Sequence, residues 1–242
     1  MTAYLKKYVD GKVNHKGIAL LMKNNGLTVP RNTRLRAKRE PKTHKPVTDI
    51  PNTFWGEDMT KAMTRQGWAY IHVVLDWGGK KLLSLLASTS SRASDWLRAL
   101  DNAVNLQFPD GLDPNEPCQF IPKLVGDNGC QPTSKAFGEY ERKLGIKHIF
   151  TSYCNPKGDA DAERVIRTLK EDLPWLDEYN SIDELQEALN KWQNDYSYVF
   201  PHSSIAYCTP AEYEERWNNG TEPQNTRAKK MLAKTLPFLV AN

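Results

Sequence analysis

The chain has 242 residues and a net charge of +4, but its charges are unevenly distributed. The first 50 residues carry 12 Lys/Arg and three acids, whereas the remaining 192 carry 21 basic and 26 acidic residues. An apolar content of 39% can form a core and excludes wholesale disorder. No apolar run reaches the ~20 residues that span a bilayer, and the N-terminus lacks the apolar stretch of a secretory signal. A basic arm beside a near-neutral body makes nucleic acid the first partner to consider.

The cysteines give no sign of a metal knuckle or a disulfide framework. All four are far apart in sequence and no C-x-x-C pair occurs: Cys118, Cys130, Cys154 and Cys208. Zinc knuckles and disulfide-rich secreted domains both need closer, repeated spacings. We therefore expect four reduced thiols in a cytoplasmic protein.

The N-terminal region predicts one helix followed by a basic segment. In residues 13–27, Ile18, Leu21 and Met22 have helical spacing, and Gly26 stands where a helix would end. Residues 31–46 hold seven Lys/Arg and one acid without apolar periodicity, which is typical of a linker or an extended arm. A solvated tether and a DNA-contacting arm fit this composition equally well.

From residue 51 the pattern becomes that of a globular domain with the element order βββαβαβα. Strands are predicted at 54–58, 68–76, 81–88, 121–126 and 146–150, the first three as an antiparallel meander. Helices are predicted at 93–104, 134–145 and 159–173. Two further helices begin at capping-box patterns that start at Ser181 and Thr209.

Three carboxylates stand out by their positions. Asp58 ends the first predicted strand, Asp127 ends the fourth, and Glu163 lies near the start of the helix after the fifth. Neighbouring strand ends can bring the two aspartates together, and a helix packed across the sheet can add the glutamate. Such a cluster is costly unless cations hold it, and hard oxygen ligands suit Mg²⁺ or Mn²⁺. Two ions ~3.5–4 Å apart can stabilise both the attacking and the leaving oxygen of a phosphoryl displacement.

The residues alone leave other carboxylates open for this role. Glu57, Asp76, Asp159 and Asp161 are rivals by position. Asp76 could cap a turn, Asp159 could cap a helix, and the sequence Asp-Asn-Gly at 127–129 could be an ordinary turn.

Several ordered motifs resemble the bacterial insertion-sequence transposases with a retroviral-integrase-type core. They are WGEDMT at 55–60, GDNGCQPTS at 126–134, NPKGDADAER at 155–164 and RTLKE at 167–171. Asp127 and Glu163 are 36 positions apart, which is the D-(35)-E spacing of that family. Residues 196–213, which include PHSS and TPAEY, resemble its closing motif. The resemblance covers residues 51–216, and five blocks in order make it specific.

The resemblance implies an α/β, RNase H-like fold: a mixed five-stranded sheet flanked by helices, with a short N-terminal helical and basic appendage. It also implies a DDE active site in which Asp58, Asp127 and Glu163 are the catalytic residues and the ligands of two Mg²⁺ or Mn²⁺ ions. The implied activity is metal-dependent DNA strand transfer, which cuts element ends and joins their 3′-hydroxyls to target DNA. The implied partners are double-stranded DNA and further copies of the chain, in a bacterial, nucleoid-associated setting.

Other residues receive supporting roles. Arg167 and Lys170 share a helix face with Glu163 and are expected to contact the DNA backbone, with a solvated face and a Glu163–Arg167 ion pair as the alternative. The arm would contribute four further DNA-binding residues: Arg34, Arg36, Lys38 and Arg39. Four residues would shape the loops near the site: Asn128, Gly129, Asn155 and Gly158.

The expected organisation is a partial helix-turn-helix-like segment at 1–30, a basic linker at 31–50, the catalytic core at 51–216 and a C-terminal tail at 217–242. Because the first segment resembles only the last helix of the family's DNA-reading region, we expect that region to be truncated here or supplied by a separate polypeptide. Phe200 stands where relatives commonly have arginine, and His202 receives no catalytic role. Two alternative functions stay open: a nuclease that does not join, and a catalytically silent DNA-binding remnant.

Overall fold

The computed structural model describes residues 1–9, 13–28, 48–112, 121–126, 134–150, 160–173 and 179–221. The chain divides into two compact units, Met1–His44 and Lys45–Asn242. Across the described ranges, no helix combines the length and apolar character that crossing a bilayer requires. The four-segment organisation expected from the sequence stays a prediction.

The described part of the N-terminal unit contains two short helices, α1 (Thr2–Tyr8) and α2 (His15–Asn24). The α2 prediction is confirmed: the Asn14 side chain caps its start by accepting a hydrogen bond of 3.0 Å from the Lys16 amide. Its apolar residues are not buried, and Leu21 is 58% exposed. The sequence did not predict α1, because seven residues are too few to establish a helical period.

A mixed five-stranded sheet forms the centre of the second unit. Its strands are β1 (Phe54–Thr64), β2 (Gly67–Asp76), β3 (Leu82–Ser88), β4 (Lys123–Gly126) and β5 (Lys147–Phe150), in the order β3-β2-β1-β4-β5. The pairs β1–β2 and β2–β3 are antiparallel, whereas β1–β4 and β4–β5 are parallel. The expected meander and the expected mixed sheet are therefore confirmed.

The prediction that Asp58 ends the first strand is wrong. Strand β1 continues to Thr64 and pairs with β2 along its whole length, from Trp55 opposite Asp76 to Thr64 opposite Gly67. The second half of β1 alternates between exposed and buried residues, as a strand with one open face does. Two consecutive acids interrupt the apolar pattern, so the sequence did not reveal this continuation.

Five α-helices flank the sheet: α3 (Ala93–Gln107), α4 (Lys135–Leu144), α5 (Ala160–Asp172), α6 (Ile182–Tyr198) and α7 (Pro210–Asn218). All five were predicted, and their ends carry the expected signals. The Ser134 side chain caps α4, Gly145 ends it at φ 69°, and Ser181 caps α6. Thr209 and Glu212 form the capping box of α7.

The sheet has one hydrophobic cluster on each face. Helices α5 and α6 cover one face, which we call the α5 face, with buried residues that include Ala62, Val73, Val125, Val165, Ile166, Leu169 and Leu189. Helices α3 and α4 cover the opposite face, which we call the α3 face, with buried residues that include Trp55, Val74, Leu100, Leu124 and Phe137. Alternate residues of each strand therefore belong to different faces.

Side chains of α6 form hydrogen bonds with the backbone of the edge strand β3. Gln186 accepts a hydrogen bond of 2.7 Å from the Ala87 amide and donates one of 2.9 Å to the Leu85 carbonyl. Gln193 donates to the Leu82 carbonyl at 3.1 Å. These glutamines satisfy backbone groups that a further strand would otherwise bond.

The closing helix α7 is tied to the domain through buried polar contacts. Lys81 Nζ lies 2.6 Å from Glu214 Oε2, and Gln107 also donates to Glu214. The hydroxyl of Tyr213 donates to the Asp49 carbonyl at 2.7 Å. Cys208, the one cysteine in the described ranges, is buried, and its sulfur accepts a hydrogen bond of 3.2 Å from Arg216.

Candidate active site

Asp58 lies on the face of the sheet that α5 covers. It pairs across the sheet with Val73, a member of the buried cluster on the α5 face. The side chain is half-buried, and its Oδ1 accepts a hydrogen bond of 2.7 Å from the Met59 amide. A half-buried carboxylate on a central strand is rigidly placed yet within reach of solvent, which suits a ligand for a metal or for substrate.

Its neighbour Glu57 belongs to the opposite face. Glu57 pairs with Val74, which is buried in the cluster on the α3 face, and its side chain is 2% exposed. The pleat of β1 thus separates the two consecutive acids, and only Asp58 faces α5. The structure therefore favours Asp58 over this rival.

Glu163 lies in the first turn of α5 and points away from the core. Helix α5 buries Ala162, Val165, Ile166 and Leu169 at helical spacing, and it packs against β1 and β2. Glu163 is exposed beside this buried stripe. The helix that carries Glu163 thus lies against the strand that carries Asp58, as the sequence argument required.

The register of β4 leads the chain towards the same region. Trp55 pairs with Leu124 and Gly56 pairs with Val125, in parallel orientation. Strand β4 ends at Gly126, and Asp127 is the next residue in the sequence. Asp127 itself lies outside the described residues.

Two other rival carboxylates have structural partners. Asp76 accepts hydrogen bonds from the amides of Gly78, Gly79 and Asn52 at 3.2, 2.8 and 3.1 Å, so it organises the turn after β2. Burial raises the pKa of Asp76 to about 7, although these amide donors favour the ionised form. Asp161 forms an ion pair of 3.3 Å with Lys80. Asp159 lies outside the described residues.

Arg167 and Lys170 continue the exposed side of α5. Arg167 is exposed and Lys170 is half-buried, one and two turns after Glu163. No ion pair joins Glu163 to Arg167 in the described part of the chain, so the alternative of an i,i+4 pair is not what the structure contains. The result is a carboxylate followed by two cations along one helix.

The remaining predicted site residues lie outside the described ranges: Arg34, Arg36, Lys38, Arg39, Asn128, Gly129, Asn155 and Gly158. Within those ranges, no three His, Cys, Asp or Glu side chains form a group that could hold a metal ion. Two of the three expected ligands, Asp58 and Glu163, are described.

The closing segment before α7 has a packing role in the described structure. His202 Nε2 lies 3.5 Å from the Tyr196 carbonyl oxygen, and its ring meets the Tyr196 ring edge-on at 4.6 Å. Burial lowers the pKa of His202 and raises that of Tyr196. Phe200 packs against the cluster on the α5 face. His202 and Phe200 therefore contribute to packing in this segment.

Sequence reasoning missed a buried pair near the end of β4. His148 on β5 lies 2.7 Å from Glu141 on α4, and its ring lies against Gly126. The one available signal was the glycine directly before Asp127, which indicates a close approach of another group.

Two family models and several known proteins match this chain. Residues 48–156 match one family model described as an integrase core domain, and residues 144–210 match a second model of the same description. The chain is similar to the transposase InsD for insertion element IS2A/D/F/H/I/K of Escherichia coli, with 24% identity over 218 residues, 86% of this chain and 68% of that protein. It is also similar to protein K02A2.6 of Caenorhabditis elegans, with 34% identity over 89 residues, 37% of this chain and 7% of that protein.

A solved structure shows the same fold. The chain is similar to one in the simian T-cell lymphotropic virus intasome in complex with PP2A regulatory subunit B56 gamma, with a TM-score of 0.55 and 17% identity. The alignment covers 88% of this chain and 73% of that one. The expected RNase H-like fold is thereby confirmed. The two integrase core domain matches together span residues 48–210, and the chain is similar to insertion-sequence transposases.

Proposed function

We propose that this protein is a metal-dependent DNA strand transferase, which cuts the ends of a mobile element and joins their 3′-hydroxyls to target DNA. The observation that carries this proposal is that Asp58 lies on the α5 face of β1, a strand that packs against the helix that bears Glu163. The parallel register of β1 and β4 supports Asp127 as the third member, because that residue follows the strand next to Asp58. The relatives supply the reaction class, since they include transposases.

The donor chemistry suits divalent magnesium or manganese. Asp58 and Glu163 offer carboxylate oxygens, which are the ligands that Mg²⁺ prefers in proteins. In the proposal, Asp58, Asp127 and Glu163 would hold two ions. When bound, two such ions would stabilise the attacking and leaving oxygens of an in-line phosphoryl displacement.

The cations of α5 would hold the DNA. Arg167 and Lys170 lie on the side of the helix that also presents Glu163, so a phosphate backbone bound there would lie beside the carboxylates. The basic arm would increase the affinity for DNA but would take no part in the reaction; its residues are Arg34, Arg36, Lys38 and Arg39. We also propose that the protein acts as a homo-multimer, because a strand transferase must hold two element ends together.

A joining assay tests the proposal. Purified protein is incubated with Mg²⁺ or Mn²⁺, an oligonucleotide donor with a free 3′-hydroxyl, and supercoiled target DNA. Asp58→Asn, Asp127→Asn and Glu163→Gln are each expected to abolish joining. Each should leave metal-free DNA binding intact or slightly tighter, since each removes a metal ligand and one negative charge.

The matched control is Glu187→Gln, which removes an exposed carboxylate from α6, outside the sequence motifs that carry the proposed site. It should join like the wild type. Donor hydrolysis without any joined product would make the protein a nuclease instead. DNA binding with neither cutting nor joining would make it a catalytically silent remnant. Undiminished joining by the Asp127 variant would refute the site assignment.

A further inference from the structure

His148 and Glu141 form a buried pair where the sheet meets α4. His148 Nδ1 lies 2.7 Å from Glu141 Oε1, and the two side chains are 5% and 9% exposed. An imidazole N–H that donates to a carboxylate at this distance has a fixed ring orientation. Phe150 stacks on the ring, with 4.0 Å between centroids and 12° between planes. The histidine is therefore held both at its edge and on its face.

The other ring nitrogen lies against the end of β4. A Cβ built on Gly126 would lie 3.1 Å from His148 Nε2 and 3.7 Å from Cε1, so the imidazole occupies the space beside this glycine. Nε2 is buried and has no hydrogen-bond partner within the described ranges. The close approach explains why a residue without a side chain stands at the last position of β4.

The pair also contacts both elements that flank the segment after β4. Residues 127–133 connect Gly126 to Ser134, the residue that caps α4. His148 contacts Gly126 at one end of this segment, and Glu141 belongs to the helix at its other end. One hydrogen-bonded pair thus links the strand before the segment to the helix after it.

We infer that His148, oriented by Glu141, is a positioning residue that fixes Gly126, the last residue of β4 and the one directly before the proposed ligand Asp127. The inference rests on the proposed function, in which Asp127 is a metal ligand. The histidine does not touch the reacting atoms in this assignment. Residues that do not touch the metal commonly orient its ligands, and His148 would act in this way through the backbone at Gly126.

Metal affinity tests the inference without relying on activity. Manganese binding to the full chain is measured by titration calorimetry, together with thermal unfolding and metal-free DNA binding. His148→Phe keeps an aromatic ring but removes both nitrogens. Its dissociation constant for Mn²⁺ should rise by about tenfold or more, the usual cost of losing an outer support of a metal site. Its metal-free DNA binding should stay at the wild-type level.

The matched control is His72→Phe, the same change at another buried histidine of the sheet. His72 is fully buried on the α3 face, with its ring near Ser88 and Trp96. This variant can lose thermal stability, but its affinity for Mn²⁺ should not change. Equal losses of metal affinity in the two variants would mean that histidine removal acts only through general destabilisation, and would overturn the inference.

A second pair of variants tests the inference even if His148→Phe does not fold. Gly126→Ala places a methyl group against the imidazole and should weaken Mn²⁺ binding, and adding His148→Ala should make room for that methyl group. The loss of Mn²⁺ affinity in the double variant should therefore be smaller than the sum of the losses in Gly126→Ala and His148→Ala. Strictly additive effects, or wild-type affinity in His148→Phe, would overturn the inference. If Asp58→Asn and Glu163→Gln also bind Mn²⁺ normally, the proposed function fails instead.

Discussion

Lys81 Nζ lies 2.6 Å from Glu214 Oε2, and this contact joins the residue before β3 to the closing helix α7. The two side chains are 13% and 11% exposed, so both charges are largely removed from water. Glu214 also accepts from Gln107 and Asn52. The position of α7 therefore depends on one carboxylate with several partners.

Removing the cation of this pair should destabilise the domain. Lys81→Met leaves the Glu214 carboxylate buried without its charge partner, which should cost on the order of 3 kcal/mol of unfolding free energy. Urea denaturation measures the loss. The control is Lys135→Met, which breaks an exposed pair with Glu139 and should change stability by less than about 1 kcal/mol. Similar losses in both variants would contradict the buried-pair account.

The turn after β2 should not tolerate a side chain at Gly78. A Cβ built there would overlap the carbonyl group of Ile50, which is backbone and cannot rotate away. Gly78→Ala should therefore lower the unfolding free energy by about 3 kcal/mol or more. Gly138 of α4 has open space around it, so Gly138→Ala should raise stability by roughly 0.5–1 kcal/mol. A neutral Gly78→Ala would show that the turn differs from the one described.

Asp76 should make stability depend on pH in an unusual direction. Its pKa is about 7 in the folded protein, against an ordinary value of 3.8. Between these pH values the folded state holds a proton that the unfolded state has released. The contribution of Asp76 to the unfolding free energy is therefore present at low pH and is lost as the pH rises through 7.

Denaturation of the wild type and Asp76→Asn at several pH values tests this dependence. The unfolding free energy of the wild type minus that of Asp76→Asn should fall between pH 4 and about pH 7. Above that range the difference should stay constant. Asp110→Asn, at an exposed position, serves as the control and should show no such trend. A wild-type advantage that grows with pH would mean that the amide donors outweigh burial.

The two cations Arg167 and Lys170 of α5 should contribute to the salt dependence of DNA binding. Arg167→Ala and Lys170→Ala should each reduce the slope of log affinity against log salt by about 1, as expected for one lost phosphate contact. Fluorescence anisotropy with a labelled duplex at several salt concentrations measures the slope. Lys191→Ala, on the exposed side of α6, should leave the slope unchanged.

The same measurement separates the two interpretations of the basic arm. Neutralising Arg34, Arg36, Lys38 and Arg39 together should flatten the salt dependence if the arm contacts phosphates. An unchanged slope would show that the arm is only a tether.

The sequence predicted most of the sheet and helices because their signals are local. Capping residues such as Thr209 and apolar stripes such as that of α5 depend only on nearby positions. The second half of β1 was not predicted because only its pairing with β2 identifies it as a strand, and local sequence does not show that pairing. The sequence also could not decide between Glu57 and Asp58, since that choice depends on which face of the sheet each residue shares with a helix.

The pair of His148 and Glu141 was beyond sequence reasoning for a related reason. The two residues are seven positions apart, on a helix and a strand joined by the turn at Gly145. Neither helical nor strand periodicity connects them, so only the packing of α4 on the sheet brings the imidazole to the carboxylate.

The parallel pairing of β1 with β4 has a consequence for the order of folding. The hairpins of β1, β2 and β3 join neighbours in the chain, whereas β1 meets β4 only after a long intervening segment has closed into a loop. Contacts of such high sequence separation form late. On the proposed assignment, the three ligands can meet only after residue 163 has left the ribosome, so the site would be assembled late in synthesis.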